Sequence, residues 1–288
     1  MPQKIIEAAR EHLPQMFEGG EKANVLKGGK LMNVADGLKL ASVGSRHKWL
    51  NADQKATQSI IGSLKFIERV MPEITLPLHR LSCVMSAPPP EALEVAKGVL
   101  HYAYVNKDNG ITYGGASDDG DEHVGIEGRA PSALSASADA TWGDGRNLYG
   151  LMLTYNHGTV VHMTKKIRSV VESSHHSEAI ATSKAAEQVV YAREVLRALG
   201  MPSQLSTKIA TDNRANLLVA HDATSAKRAR HFLRQYHTLQ QRIQAGDITI
   251  VKMPTAVMPA DFLTKWITGQ KLKKSVRYAT NTIKYVAA

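Results

Sequence analysis

From residue 133 onward the hydrophobic pattern changes period in an order that leaves few folds open: strand, strand, strand, helix, strand, helix, helix, strand, helix. Strand patterns cover 133–142, 148–155 and 159–165, and Asn156-His157-Gly158 makes a short turn between the second and third. Ser173 or Ser174 can cap a long helix that runs to Leu199, where Gly200 and Pro202 stop it. A fourth strand at 205–212, helical stretches near 214–221 and 226–244, a fifth strand at 247–253 and a last helix from about 259 complete the set. Strands interleaved with helices in this order predict an α/β fold: a five-stranded mixed sheet with flanking helices.

The preceding residues read differently. Ile5 to Phe17 has a helical rhythm, and the Gly19-Gly20 and Gly28-Gly29 pairs interrupt any regular element after Phe17. From about Ala56, the residues Ile60, Ile61, Leu64, Ile67 and Val70 return at three- and four-residue spacing before Pro72. Helices are expected over 76–85 and from Pro90-Glu91 to Tyr104, and Asp108-Asn109-Gly110 signals a turn into a short strand, Ile111-Thr112-Tyr113. Residues 114–130 form a Gly- and Asp-rich linker, whose Asp118-Asp119-Gly120-Asp121-Glu122 run lacks the ligand spacing of a calcium loop. The chain thus divides into a helical segment (1–110), a linker (111–130), the α/β domain (131–270) and a basic tail (271–288).

Four carboxylates stand where ordinary surface does not explain them. Asp139 lies in the apolar-flanked strand Ala136 to Trp142, and Asp212 ends the fourth strand. Glu178 is near the start of the long helix, and Asp261 opens the last helix after Pro259. Carboxylates from two strands and two helix starts can converge only if something offsets their repulsion, and divalent metal does so. Each has a structural alternative: Asp212 with Asn213 can cap the next helix, and Asp261 can complement a helix dipole.

Charge sharpens this reading. Residues 1–150 carry 16 Lys/Arg against 18 Asp/Glu, and residues 151–288 carry 20 against 8, so the whole basic excess lies in the half that holds three of the four acids. A basic surface around an acidic pocket suits a polyanion bound along its backbone and cut at one phosphate. Lys165, Lys166, Lys227, Arg228, Arg230 and Arg234 are candidates for that surface, with solvated helix faces as the plain alternative. The single Cys83 excludes an intrachain disulfide framework and a Cys-based zinc cluster, which favours a reducing compartment, and Met1-Pro2-Gln3-Lys4 lacks the layout of a signal peptide.

The ordered motifs resemble ribonuclease H, and more closely the ribonuclease H region of copia-like retrotransposon Pol polyproteins. They include Ile61-Gly62-Ser63-Leu64, the Ala96 to Tyr102 helix, Gly110-Ile111-Thr112-Tyr113 and Asp139-Ala140-Thr141-Trp142-Gly143-Asp144. Ser173-Ser174 leading to Glu178, Thr211-Asp212-Asn213, Arg230-His231-Phe232 and Ala260-Asp261-Phe262-Leu263-Thr264-Lys265 continue the set, over about residues 56–268. The resemblance implies a metal-dependent endonuclease for the RNA strand of an RNA–DNA hybrid, using two Mg²⁺ ions for which Mn²⁺ can substitute. It implies that Asp139 bridges both ions, that Glu178 and Asp212 help hold one, and that Asp261 helps hold the other. Nucleic-acid contacts are expected from Lys165, Lys166, Asn213, Lys227, Arg228, Arg230, His231 and Lys265, with Glu178 touching both metal and a 2′-hydroxyl.

The first 110 residues resemble the thumb and connection segment that tethers a reverse transcriptase to its ribonuclease H. A polymerase partner is therefore implied outside this chain, in which no Tyr-X-Asp-Asp motif occurs. A cytoplasmic virus-like particle or the nucleus is the implied location. The chain departs from many ribonucleases H in having no His in the loop Met253 to Met258, and the adjacent His175 and His176 point to different helix faces. Two other readings stay open: a catalytically silent nucleic-acid-binding module, and an integrase-like or resolvase-like nuclease of the same superfamily.

Overall fold

The computed structural model describes residues 2–13, 51–114, 133–143, 147–203, 205–213 and 233–281. The chain divides into two compact units between Gly110 and Ile111. In the first, α1 (Pro2–His12), α2 (Ala52–Ile67), α3 (Thr75–Cys83) and α4 (Glu91–Val105) pack together, with α1 lying against α2 and α4. Helix α2 begins four residues before its apolar pattern does, because Asn51 and Gln54 form a reciprocal capping box that satisfies two backbone N–H groups. Its apolar stripe, Ile60, Ile61, Leu64 and Ile67, is fully buried, as the three- and four-residue spacing dictates.

The second unit holds a five-stranded sheet of β1 (Ser135–Thr141), β2 (Leu148–Tyr155), β3 (Gly158–Lys166), β4 (Thr207–Thr211) and β5 (Ile248–Lys252), in the order β3-β2-β1-β4-β5. Strands β1 to β3 form an antiparallel meander, while β4 runs parallel to β1 and β5 parallel to β4. This is the five-stranded mixed sheet with flanking helices that the sequence pattern predicts. Asn156 and His157 both have positive φ, which lets the β2–β3 connection turn tightly. Added bulk at Gly158 is excluded, because a Cβ there would meet the Thr112 carbonyl at 2.7 Å.

Alternation along β1 assigns the two faces of the sheet. Ala136, Ala138 and Ala140 join Leu151 and Leu153 of β2 against α5 (Ser174–Ala198), whose Ala181, Ala185 and Val189 are buried. These small β1 side chains let the helix approach closely, and Tyr236 and Leu239 of α6 (Leu233–Gln244) close the same core. Ser135, Ser137 and Asp139 alternate to the opposite face, where Met152 packs with Phe262, Leu263, Tyr278 and Ala279.

Three sequence expectations change. Ile111–Tyr113 is extended but joins no strand ladder: the Thr112 amide donates to the Thr280 carbonyl and the Gly114 amide to the Asn156 carbonyl. The helix expected from 259 is a 3₁₀ helix over Pro259–Leu263. Among the described residues the last helix is α7 (Gly269–Thr280), which takes in the first part of what reads as a basic tail at 271–288. Thr268 caps it by accepting from the Lys271 amide, Asn281 ends it in the left-handed region, and Val276, Tyr278 and Ala279 bury its apolar face. The linker run at 118–122 and the helical stretch near 214–221 lie outside the described residues, as do Lys227, Arg228, Arg230 and His231.

Candidate metal centre

Strands β1 and β4 are paired only from Ser135 to Ser137 on β1 and from Lys208 to Ala210 on β4. Past Ser137 the two parallel strands no longer bond to each other, and the opening lies at their carboxyl ends, where open α/β sheets place their ligand sites. Asp139 is in this opening on β1, and Asp212 follows the last residue of β4. Glu178 reaches it from the second turn of α5, a helix set by the Ser173 side chain accepting from the His176 amide. Its Oε1 accepts from the Ala140 amide at 3.2 Å, on the stretch of β1 beyond the β4 pairing.

Ligand oxygens of Asp139, Glu178 and Asp212 lie within 4.8 Å of one another. Asp139 is wholly buried and Glu178 is 8% exposed. Among the described residues, Glu178 Oε2 is buried with no hydrogen-bond partner. A buried carboxylate oxygen left unsatisfied beside two further carboxylates is costly without a cation, so this donor set fits a divalent metal with hard oxygen ligands. The Thr255 hydroxyl donates to Asp212 Oδ2 at 2.8 Å and fixes the third carboxylate.

Electrostatics follow from this enclosure. Burial pushes the Glu178 carboxyl up to about 9, reinforced by repulsion from Asp139 and Asp212, while Lys265 and the Ala140 amide oppose the shift. Burial also raises the Asp139 carboxyl, to about 6, against the pull of the Lys265 ammonium. Burial by itself would depress Lys265, but the Asp139 carboxylate, then Asp261 and Asp212, outweigh it and hold the ammonium above its ordinary value.

Asp261 comes to the same end of the molecule on the 3₁₀ helix, yet it is bound differently. Its Oδ1 faces Lys265 Nζ at 3.5 Å and its Oδ2 is paired with Lys271 Nζ. Lys265 Nζ also donates to Asp139 Oδ1 at 2.8 Å, and the Thr264 hydroxyl donates to Asp139 Oδ2. Lys265, grouped by sequence with the nucleic-acid contacts, is thus ion-paired among the acids. Of the other expected contacts that are described, Lys165 and Lys166 are exposed at the end of β3, and Asn213 directly follows Asp212. Thr255 and Lys271, which orient and pair two of these acids, are residues that the sequence pattern did not single out.

No family model matches the chain. It is 24% identical over 217 residues to the retrovirus-related Pol polyprotein from transposon RE1 of Arabidopsis thaliana, covering 74% of this chain and 14% of that protein. It is 20% identical over 216 residues to the corresponding polyprotein from transposon TNT 1-94 of Nicotiana tabacum, covering 75% and 15%. The similarity to retrotransposon Pol polyproteins therefore extends over about three quarters of this chain, which spans about one seventh of the length of the curated relatives it matches. Among solved structures, ribonuclease H1 from Halobacterium salinarum NRC-1 aligns with a TM-score of 0.32 at 14% identity, covering 45% of this chain and 91% of that one. A foamy viral protease–reverse transcriptase in complex with double-stranded DNA aligns with a TM-score of 0.38 at 12% identity, covering 77% and 35%.

Proposed function

We propose that this chain is the ribonuclease H portion of a copia-like retrotransposon Pol polyprotein, with the helical segment that tethers it to a polymerase. It hydrolyses the RNA strand of an RNA–DNA hybrid at an internal phosphodiester, with Mg²⁺ or Mn²⁺. The observation that carries the reading is the meeting of Asp139, Glu178 and Asp212 oxygens within 4.8 Å, with Glu178 Oε2 buried and unpartnered among the described residues.

Divalent ions, when bound, neutralise charge at phosphorus and lower the pKa of water toward neutrality. Asp139, Glu178 and Asp212 would hold one ion, and Asp139 with Asp261 are the proposed holders of a second. Thr255 keeps the Asp212 carboxylate oriented through its 2.8 Å hydrogen bond. The Ala140 amide does the same for Glu178 Oε1 and leaves Oε2 free to bind. Glu178 also serves as acceptor for a 2′-hydroxyl, the group that separates RNA from DNA. Exposed Lys165 and Lys166 and the basic residues Lys227, Arg228 and Arg230 supply phosphate contacts.

One observation favours the second reading, a silent binding module with the same fold: two lysines already pair with Asp261, and one of them with Asp139. Incubating the full chain with an end-labelled RNA–DNA hybrid, with and without Mg²⁺, separates the two. Metal-dependent cuts in the RNA strand are expected, with duplex DNA spared and Asp139→Asn slower by orders of magnitude while remaining folded. Equal cleavage by wild type and Asp139→Asn, or none by either, would falsify the nuclease assignment.

A further inference from the structure

The four acids fall into two halves that differ in what fills them. In one half Glu178 Oε2 is enclosed without a partner among the described residues, beside Asp139 and Asp212. In the other, Asp261 is buried at 2% exposure and both its oxygens face ammonium groups. Lys265 spans the two carboxylates of this half, 2.8 Å from Asp139 Oδ1 and 3.5 Å from Asp261 Oδ1.

Both lysines are anchored at the backbone. Lys265 is fixed by the 3₁₀ turn, since its own amide donates to the Asp261 carbonyl at 2.8 Å. Lys271 is carried on the first turn of α7, which is anchored by Val276, Tyr278 and Ala279 and whose start is set by the Thr268 cap on the Lys271 amide. Its Nζ also donates to the Thr255 carbonyl, next to the hydroxyl that holds Asp212. Among the described residues, once an incoming ion has displaced the Glu178 proton, four carboxylates against two ammonium groups leave two net negative charges, the charge that one divalent ion neutralises. A second divalent ion between Asp139 and Asp261 would stand within a few ångströms of both ammonium groups, where like charges repel strongly in a buried site.

We infer that Lys265 and Lys271 are built-in counter-ions of the Asp139–Asp261 half, so that the protein without nucleic acid takes one divalent ion, at Glu178, Asp212 and Asp139. A second ion enters only once those two ammonium groups are withdrawn. The inference rests on the proposed metal site and adds to it an ion count and the residues that set it.

The test is a Mn²⁺ titration of the metal-stripped full chain in the absence of nucleic acid, with free Mn²⁺ followed by electron paramagnetic resonance. One ion per chain is expected for wild type, and two for the double variant Lys265→Met, Lys271→Met, which keeps the side-chain stems. Two ions in wild type, or one in both proteins, overturns the inference and leaves the metal site standing. No ion in either overturns both. Because the double variant strips a buried carboxylate of its partners, a second comparison covers loss of folding. Asp212→Asn should weaken the first ion by about tenfold or more, and Asp261→Asn by clearly less, since only the former removes a ligand of that ion. Equal losses in the two single variants would also overturn it.

Discussion

A Cβ added at Gly150 would stand 2.6 Å from the Cβ of Leu263 and 2.8 Å from Thr264 Cγ2. Gly150 is the residue that pairs with Asp139 across β1 and β2. The bare backbone at this point in β2 is therefore what lets the turn carrying Asp261, Thr264 and Lys265 settle against the strand that carries Asp139. Burial of Phe262 and Leu263 on Met152, Tyr278 and Ala279 holds that turn in place.

Gly150→Ala is accordingly expected to push the 259–265 turn away from β2. The backbone of Leu263 is 3.3 Å from the added atom, so rotation of a side chain alone does not relieve the contact. Overpacking of this kind costs about 1 to 3 kcal/mol. Thermal unfolding should show that loss, and hybrid cleavage should fall by more than the unfolded fraction accounts for. Wild-type stability and activity in Gly150→Ala would mean that the approach of turn and strand is dispensable.

Metal affinity should depend on pH with a sign fixed by Glu178. Its carboxyl lies at about 9 in the metal-free protein, against an ordinary 4.5. Between about pH 6 and pH 9 it therefore holds a proton that an incoming ion must displace. Affinity should rise about tenfold per pH unit over this window and more steeply below it, where Asp139 is protonated as well. The same shift removes stability from the metal-free protein as pH rises through about 9, so added Mg²⁺ should raise the melting temperature more at pH 8.5 than at pH 6.5. Titration calorimetry in buffers of different ionisation enthalpy counts the proton released, and pH-independent affinity over this range would contradict the account.

How much of the fold and the site is legible in the sequence differs from residue to residue. The β2 strand at Leu148–Tyr155 follows its apolar run to the residue, and β1, β3, β4 and β5 lie within two residues of the patterned stretches. Glu178, Asp139 and Asp212 are readable because each is a carboxylate in an otherwise apolar or sparsely acidic stretch. Lys271 is not, because Lys271, Lys273, Lys274 and Arg277 give helix α7 the look of a solvated basic run. Its apolar side, Val276, Tyr278 and Ala279, is short and needs Met152 on a distant strand to become a core. The fit of Gly150 under Leu263 depends on the seating of a turn against a strand over 100 residues away in sequence, which no local period encodes. Ile111–Tyr113 has strand-forming residues, but its amides meet Thr280 and Asn156 instead of a sheet edge.

A second pH effect belongs to the helical unit. Burial raises the Glu73 carboxyl from 4.5 to about 7, against hydrogen bonds from its own backbone and from Tyr102. An acid with a raised folded-state pKa lends stability that is complete below its unfolded value and is lost as pH climbs through the folded one. The helical unit should therefore weaken between about pH 5 and pH 8, and Glu73→Gln should flatten that slope. Hydrogen exchange of α3 and α4 amides across this range, in wild type and variant, reads the effect directly. Parallel slopes in the two proteins would clear Glu73 of any role.

The last prediction concerns how much of the chain the chemistry needs. Asp139, Glu178, Asp212, Asp261 and both lysines all belong to the unit that begins at Ile111. So do the hydrogen bonds that orient them, from Ala140, Thr255 and Thr264. The cores on the two faces of the sheet are likewise drawn from Ala136 to Ala279. A fragment comprising residues 111–288 should therefore fold, bind divalent metal with the affinity of the full chain, and cut hybrid at low salt. Removal of 1–110 is expected to weaken substrate binding. Circular dichroism establishes folding and Mn²⁺ titration establishes the site, so the cleavage assay then isolates the contribution of the helical unit. A folded, metal-binding fragment that leaves hybrid intact where the full chain cuts it would show that residues 1–110 supply positioning the α/β unit lacks.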